Sequence, residues 1–348
     1  MMQTRLARLY AKKDLRIETA PVAAPGPGEV LLKMAAAGIC GSDLHYYQDG
    51  GFGPVRVREP MIPGHEASGT VELAGEGVTL KTGTLVAVNP SQPCGACEYC
   101  KIGMPIHCLE MRFMGSAMRL PHEQGMFREW LLVPERQCVE VGVATTPAEA
   151  ACSEPLSVCL HAASRAPGIA GKKVLVTGAG PIGSLMVAVA SHFAASEIVV
   201  TDLADAALAR AKAMGASRMI NVARGAASLS EFQAGKGYFD LVFECSAAAP
   251  AIHGAIASIR PRGTIVQVGV SGDVPIPLNA IVGKELHLHG TQRFHEEFAV
   301  AVDLISRRKI DVRPIISHNL PLDEAVTAFE IAGDRSLACK VQLTFPSA

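Results

Sequence analysis

The run "VLVTGAGPIG" sets Gly178, Gly180 and Gly183 in a G-x-G-x-x-G spacing, directly after a short apolar strand and at the mouth of a helix-length segment. Alone the spacing is weak, and its context is what constrains the fold. A second strand, "EIVVTD", ends at Asp202, nineteen residues past Gly183. The first glycine makes the tight turn, the second lets a pyrophosphate approach the backbone, and the third permits close helix–strand packing. Pro181 and Ile182 lie in the same loop, where the helix N-terminus offers unpaired N–H groups and a positive dipole end to phosphates. Asp202 would accept hydrogen bonds from the adenosine ribose hydroxyls. The alternative is a glycine-rich turn in some other doubly wound domain. A 2′-phosphate beside the Asp202 carboxylate would be repelled, and Leu203 and Ala204 supply no arginine to neutralise it. The expected cofactor is therefore NAD, with NADP disfavoured.

The texture of the chain changes near residue 147. Before it, "EVLLKMAAAGI", "ASGTVELAG", "GTLVAVNP" and "REWLLVPERQCVEV" look like strands between glycine- and proline-rich turns, with no long amphipathic helix. That predicts a mainly β domain. After it, strands such as "KKVLVTG", "FDLVFEC" and "GTIVQVG" alternate with helix-like segments, which predicts βαβ units and a parallel sheet covered on both faces. The tail reads as two helices, "HEEFAVAVDLISRRK" and "LDEAVTAFEIAG", and a last strand, "CKVQLTF". With 348 residues, two domains are the starting expectation, and the fold class is α/β.

Cys94, Cys97, Cys100 and Cys108 fall within fifteen residues as C-x2-C-x2-C-x7-C. Four soft thiolates from one tight loop suit a tetrahedral zinc, with a four-cysteine iron–sulfur cluster as the alternative. A closed four-ligand site leaves no position for substrate, so this loop by itself catalyses nothing. A second group is scattered: Cys40 in "GICGSDLH", His65 and Glu66 in "PGHEASG", and Glu154 in "CSEPLSVCLHA". A cysteine, a histidine and one or two carboxylates suit a catalytic zinc that keeps an open position. Singly, Cys40 also reads as a core thiol, Glu66 as a neighbour supporting the ligands, and Glu154 as a helix cap.

Composition narrows the partners. The formal net charge of −1 gives no electrostatic case for nucleic acid or an anionic membrane. No apolar run approaches the roughly 20 residues that a membrane-spanning helix needs. The N-terminal stretch has no apolar core of a secretory signal, and ten cysteines without one suit a reducing cytoplasm. Cys138, Cys152, Cys159, Cys245 and Cys339 lie alone among apolar neighbours and read as buried thiols.

Taken together, "GICGSDLH", "GHE" with spaced glycines, the four-cysteine loop, "EPLSV" and "VTGAGPIG" run in one order over nearly the whole chain. In that order they resemble the zinc-dependent medium-chain alcohol and polyol dehydrogenases. The resemblance implies a GroES-like domain over residues 1–146, completed by 291–348, and a Rossmann domain over 147–290. It implies two zinc ions per chain. Cys40 and His65 would hold the catalytic one with Glu66, Glu154 or both, and the four-cysteine loop the structural one. Ser42 and His45 match a proton relay from zinc-bound alcohol to solvent. Glutamate at 154, where relatives acting on simple alcohols tend to have cysteine, points to polyols and sugar acids. The segments "MRFMGSAM", "KGYFD" and "QRFHEEF" resemble a sugar-acid branch, with Tyr46 and Arg293 lining the substrate pocket. Arg112 and Arg119 are further candidates for a substrate carboxylate. Relatives assemble as homotetramers or homodimers. The chain departs from the family at Thr84 and Leu85, and at Ser68 within the "GHE" segment.

Overall fold

The apolar runs of the second half align as a parallel sheet whose described strands follow the order Arg218–Asn221, Glu197–Asp202, Lys173–Thr177, Phe239–Glu244, Ile259–Gln267 and His287–Gly290. In chain order this is 3-2-1-4-5-6, with the reversal between Lys173–Thr177 and Phe239–Glu244. The structure is a computed structural model describing residues 2–270 and 272–345. Val174, Leu175, Val176, Phe239, Leu241, Val242 and Phe243 are all buried. That is the signature of strands covered on both faces, where alternation gives way to continuous apolar runs. The helices Pro181–His192, Asp205–Ala213 and Ala249–Ser258 supply the cover. Helix Pro181–His192 opens with Gly180 as N-cap and proline at its first position, where a missing N–H costs nothing. Helix Ala249–Ser258 ends under Lys284, whose Nζ donates to the carbonyls of Ile256, Ala257 and Ile259 at 3.0, 2.8 and 2.8 Å.

The chain separates into two compact units, one of residues 1–154, 298–308 and 316–348, the other of 155–297 and 309–315. The first unit holds a mixed sheet in the order Cys138–Glu140, Leu85–Val88, Glu66–Ala74, Glu29–Gly38, Lys340–Thr344 and Ile316–Pro321, with Trp130–Pro134 also on Glu29–Gly38. Its core includes Leu32, Met34, Val71, Phe127, Phe329 and Val341. An N-terminal hairpin, Met2–Ala11 with Asp14–Val22, precedes it.

Residues 147–154 pack with this first unit, although the sequence change near 147 suggests otherwise. Helix Pro147–Ala151 lies on strands Glu29–Gly38 and Glu66–Ala74. The buried Ser68 hydroxyl donates to the Pro147 carbonyl at 2.8 Å, and Gln342 Nε2 to that of Ala148 at 2.9 Å. Serine at 68 thus has a local structural reason. Thr146 and Glu149 form a capping box at the same helix start, and Arg308 pairs with Glu149.

Candidate active site

Strands Glu29–Gly38 and Glu66–Ala74 run antiparallel with Gly38 opposite Glu66. This register brings Cys40, just past the first strand, to His65 and Glu66 at the start of the second. Their ligand atoms lie within 4.8 Å of one another. On the other side of Glu29–Gly38, strand Lys340–Thr344 pairs with Gln342 opposite Gly38. Lys340 Nζ donates to both carboxylate oxygens of Glu66, at 2.8 and 2.6 Å, and to the Ile39 carbonyl at 3.1 Å. Both side chains are buried. Gly38 makes the meeting possible: a Cβ there would stand 2.2 Å from Glu66 Oε2. Sequence reasoning missed Lys340, whose one signal is a lysine inside the otherwise apolar strand "KVQLT".

Helix Gly41–Asp49 starts from the same point. Cys40 is its N-cap, and Asp43 accepts from the Cys40 N–H at 3.0 Å and the Gly64 N–H at 3.1 Å. Asp43 is fully buried, and its carboxylate lies 3.7 Å from His65 Nδ1, so one side chain ties the two ligand-bearing turns together. Burial pushes the Asp43 carboxyl up, against the pull of His65 and the two N–H donors. Ser42 and His45 stand one turn apart on this helix. His45 is half-exposed, stacks on Phe52 and shares a hydrogen bond with Asp49 at 3.1 Å. Tyr46 is buried, and its hydroxyl accepts from the Ala117 N–H at 3.3 Å.

Glu154, in the first turn of helix Ser153–Ser164, is buried too. Burial pushes its carboxyl up to about 8; nearby His65 opposes this, while Glu66 and Cys40 add to it. It shares the electrostatic surroundings of the Cys40, His65 and Glu66 group but is not one of that close-set trio. Burial likewise pushes the Cys40 thiol up to about 12. His65 Nδ1 is buried without a hydrogen-bond partner. A half-buried thiol with a buried imidazole and carboxylates, packed together with one cation among them, forms a mixed S, N and O donor set that fits zinc.

The cysteine loop is a lobe closed at its base by the ribbon of Ser91–Gln92 with Arg112–Phe113. The four sulfurs of Cys94, Cys97, Cys100 and Cys108 converge within 4.8 Å. Backbone N–H groups point at them: Cys94 N–H donates to Cys108 Sγ at 3.2 Å, and Ala96 and Cys97 N–H to Cys94 Sγ at 3.4 and 3.3 Å. Such donors favour thiolate; the N–H groups of Cys100 and Leu109 hold the Cys97 thiol down to about 6. The set fits a tetrahedral thiolate-bound zinc.

In the other unit, the glycine loop has the shape that a dinucleotide needs. Gly178 adopts φ +82°, a Cβ at Gly183 would stand 1.8 Å from the Gly178 carbonyl, and Gly180 faces open space. Asp202 Oδ2 accepts from the Ala179 N–H at 2.7 Å and Oδ1 from the Ala204 N–H at 2.9 Å, so the carboxylate is fixed against the loop. The parallel register sets Asn221 beside Asp202. Asn221 Nδ2 and Arg224 Nη2 both donate to Asp205, at 2.7 and 3.0 Å. Arg224, in the turn after strand Arg218–Asn221, is held in an ion pair with Asp205. Arg293 sits just past His287–Gly290 with φ 51°, in the left-handed region. Arg112 pairs with Glu123, and Arg119 with Glu110 at 3.0 Å, so both have partners within the chain.

Residues 26–143 match the alcohol dehydrogenase GroES-like domain, and residues 181–307 the zinc-binding dehydrogenase family. L-idonate 5-dehydrogenase (NAD(P)(+)) of Escherichia coli K12 is 39% identical over 316 residues, 90% of this chain and 91% of that protein. The chain belongs to the zinc-dependent medium-chain alcohol and polyol dehydrogenases. Human sorbitol dehydrogenase is 36% identical to this dehydrogenase over 341 residues, 96% of this chain and 94% of its own. The crystal structure of the Escherichia coli L-idonate 5-dehydrogenase superposes with a TM-score of 0.95 at 37% identity, covering 99% of both chains. Two further structures speak to the cofactor. An alcohol dehydrogenase of Escherichia coli CFT073 holds NADH (TM-score 0.88, 29% identity, 99% of both chains). A proposed zinc-binding dehydrogenase of Sinorhizobium meliloti 1021 holds NADP (TM-score 0.89, 28% identity, 99% of this chain and 100% of that one). This dehydrogenase is an oxidoreductase of CH–OH groups that uses zinc and an NAD(P) cofactor. None of its described helices is long and apolar enough to cross a membrane.

Proposed function

We propose that this dehydrogenase is an NAD-dependent L-idonate 5-dehydrogenase, interconverting L-idonate and 5-keto-D-gluconate. The observation that carries the reading is the convergence of Cys40, His65 and Glu66, with Glu154 buried in the same electrostatic neighbourhood. A glutamate rather than a cysteine at 154 suits a polyhydroxy substrate, and the 39% identity to an L-idonate 5-dehydrogenase favours the sugar acid. Cys40, His65 and Glu66 would hold a catalytic zinc, with Glu154 beside it; the four lobe cysteines would hold a second. When bound, the catalytic ion supplies Lewis acidity that makes an alcohol hydroxyl acidic near neutral pH.

The chain's own side chains handle the proton. Oxidation of a secondary alcohol removes a hydride from carbon and a proton from oxygen. Ser42 takes that proton and passes it one turn along the helix to His45, which is half-exposed and releases it to solvent. Asp49 orients the His45 ring through Nδ1. Tyr46 and Arg293 are the candidate substrate contacts, Arg293 with a planar fork of donors suited to a carboxylate or paired hydroxyls. Asp202 supports NAD over NADP, and Arg224, in the turn after the neighbouring strand, is engaged by Asp205.

The second reading is a sorbitol- or xylitol-type polyol dehydrogenase with the same chemistry, favoured by the 36% identity to human sorbitol dehydrogenase. Turnover of L-idonate, sorbitol and xylitol with NAD and NADP separates the two. Assembly is expected to be a homotetramer or homodimer. Exposed Ile102, Met104 and Leu109 on the cysteine lobe support a subunit contact there, and light scattering of the purified protein tests it.

A further inference from the structure

We propose that Glu244 is a positioning residue that biases the bound dinucleotide toward its oxidised form. Glu244 ends the strand Phe239–Glu244, beside Thr177 on one neighbouring strand and Gln267 on the other. It is fully buried. Its carboxylate accepts from the Thr177 hydroxyl at 3.0 Å, the Ser246 N–H at 2.9 Å, the Ala247 N–H at 3.1 and 3.0 Å, the Ser246 hydroxyl and the Gln267 amide. Its carbonyl accepts from the Val268 and Gly269 N–H groups at 2.8 and 2.7 Å. One residue therefore fixes three loops at the carboxyl ends of the strands. Ser246 sits against Gly178, where a Cβ would meet it at 3.0 Å, and Ala247, itself at φ 57°, sits against Gly269.

Every partner of the carboxylate is a neutral donor, and no lysine, arginine or histidine among the described residues pairs with it. This is a solvated-by-dipoles anion inside the protein, where charge acts over longer range than in water. It also lines a cavity of about 470 Å³ at the ends of the second three strands, with Gln267, Gly269, Gly290 and Thr291. The Thr291 hydroxyl there is buried without a partner. In a doubly wound sheet, the first three strands serve one nucleotide of the cofactor and the second three the other. The half that lacks the glycine loop takes the nicotinamide nucleotide. An oxidised nicotinamide carries one positive charge and a reduced one none, so a fixed anion lining this half favours the oxidised cofactor and release of the reduced one.

The inference rests on the dinucleotide reading of the glycine loop, and titration of the zinc-loaded protein with NAD and with NADH separates the two. Failure of the unmodified protein to bind either would overturn that reading. For the inference, Glu244→Gln is expected to raise the Kd ratio of NAD to NADH on the order of tenfold, equivalent to about 30 mV for a two-electron couple. Glu244→Asp, which keeps the charge, is expected to restore the ratio. Gln267→Lys, which sets an ammonium against the carboxylate, is expected to move it as Glu244→Gln does, and decides the matter if Glu244→Gln does not fold. Equal weakening of both cofactors in Glu244→Gln and Gln267→Lys would reduce Glu244 to a structural residue and overturn the proposal, as would an unchanged ratio.

Discussion

Lys340 Nζ meets the Glu66 carboxylate at 2.6 Å, across a strand whose glycine, Gly38, leaves the space between them. The pair explains how a second acid tolerates burial beside Cys40, His65 and Glu154. Removing one partner strands the other, and a broken buried pair costs about 3–5 kcal/mol. Lys340→Met is therefore expected to lose that much stability in urea unfolding and to lower zinc occupancy at the Cys40 site. Retention of full stability and full zinc would mean that the pair is incidental.

Gly38→Ala tests the same relationship from the backbone. Its Cβ would overlap Glu66 Oε2, the oxygen that Lys340 Nζ binds at 2.6 Å, so the carboxylate must shift. The expected outcome is the Lys340→Met phenotype: lost stability and depleted zinc, with the four-cysteine lobe still loaded. Elemental analysis beside a melting curve reads both.

The lobe has a separate prediction. Cys100→Ser should leave one zinc per chain in place of two and lower Tm by at least about 5 °C. Hydride transfer per remaining folded molecule should persist. Unchanged Tm and assembly with abolished turnover would mean that the two metal assignments are reversed.

Glu297 sets an acid-stability prediction. Burial alone would raise its carboxyl, but hydrogen bonds with His161 Nδ1 and the His295 N–H, each 2.8 Å, hold it down to about 2. A depressed carboxylate stabilises the fold above its unfolded value of 4.5, and the contribution fades as pH falls towards 2. Glu297→Gln should cost up to about 3 kcal/mol at pH 7. The gap to the parent should narrow below pH 4.5. A constant gap across that range would refute the assignment.

The proposed preference for NAD is assigned to Asp202, with Arg224 in the turn after the neighbouring strand. Asp202→Ala removes a carboxylate that repels a 2′-phosphate. The kcat/KM ratio of NADP to NAD should rise by about tenfold or more, the equivalent of 1.4 kcal/mol. Releasing Arg224 with Asp205→Asn should move the ratio the same way by a smaller step. No movement in either would put the discrimination elsewhere.

The parts legible in the sequence were those built from local spacing. The glycine loop with Asp202, the four cysteines, and the alternation behind the parallel sheet each occupy a short window whose geometry follows from chain stereochemistry. Cys40 and the His65–Glu66 pair were legible as residue types at turns, and strand register then brings them together. The other members of that site depend on distance in sequence. Glu66 and Lys340 are 274 residues apart, and nothing near Lys340 signals an acid opposite it. Gly38 reads as an ordinary strand glycine until the acid that crosses it is known. The N-terminal hairpin escaped for another reason. Its buried Leu6, Ala7 and Leu9 follow no strict alternation, and charges such as Arg8 and Glu18, paired at 3.0 Å across the strands, are interleaved with them.

The central claim is a zinc- and NAD-dependent oxidation of a sugar acid at Cys40, His65 and Glu66. Steady-state kcat/KM for L-idonate, sorbitol and xylitol, with the parent protein and Cys40→Ser side by side, tests it most directly. The account predicts the highest value for L-idonate with NAD, and its loss in a folded Cys40→Ser protein that keeps the lobe zinc. Preference for sorbitol or xylitol, or undiminished turnover in Cys40→Ser, would contradict it.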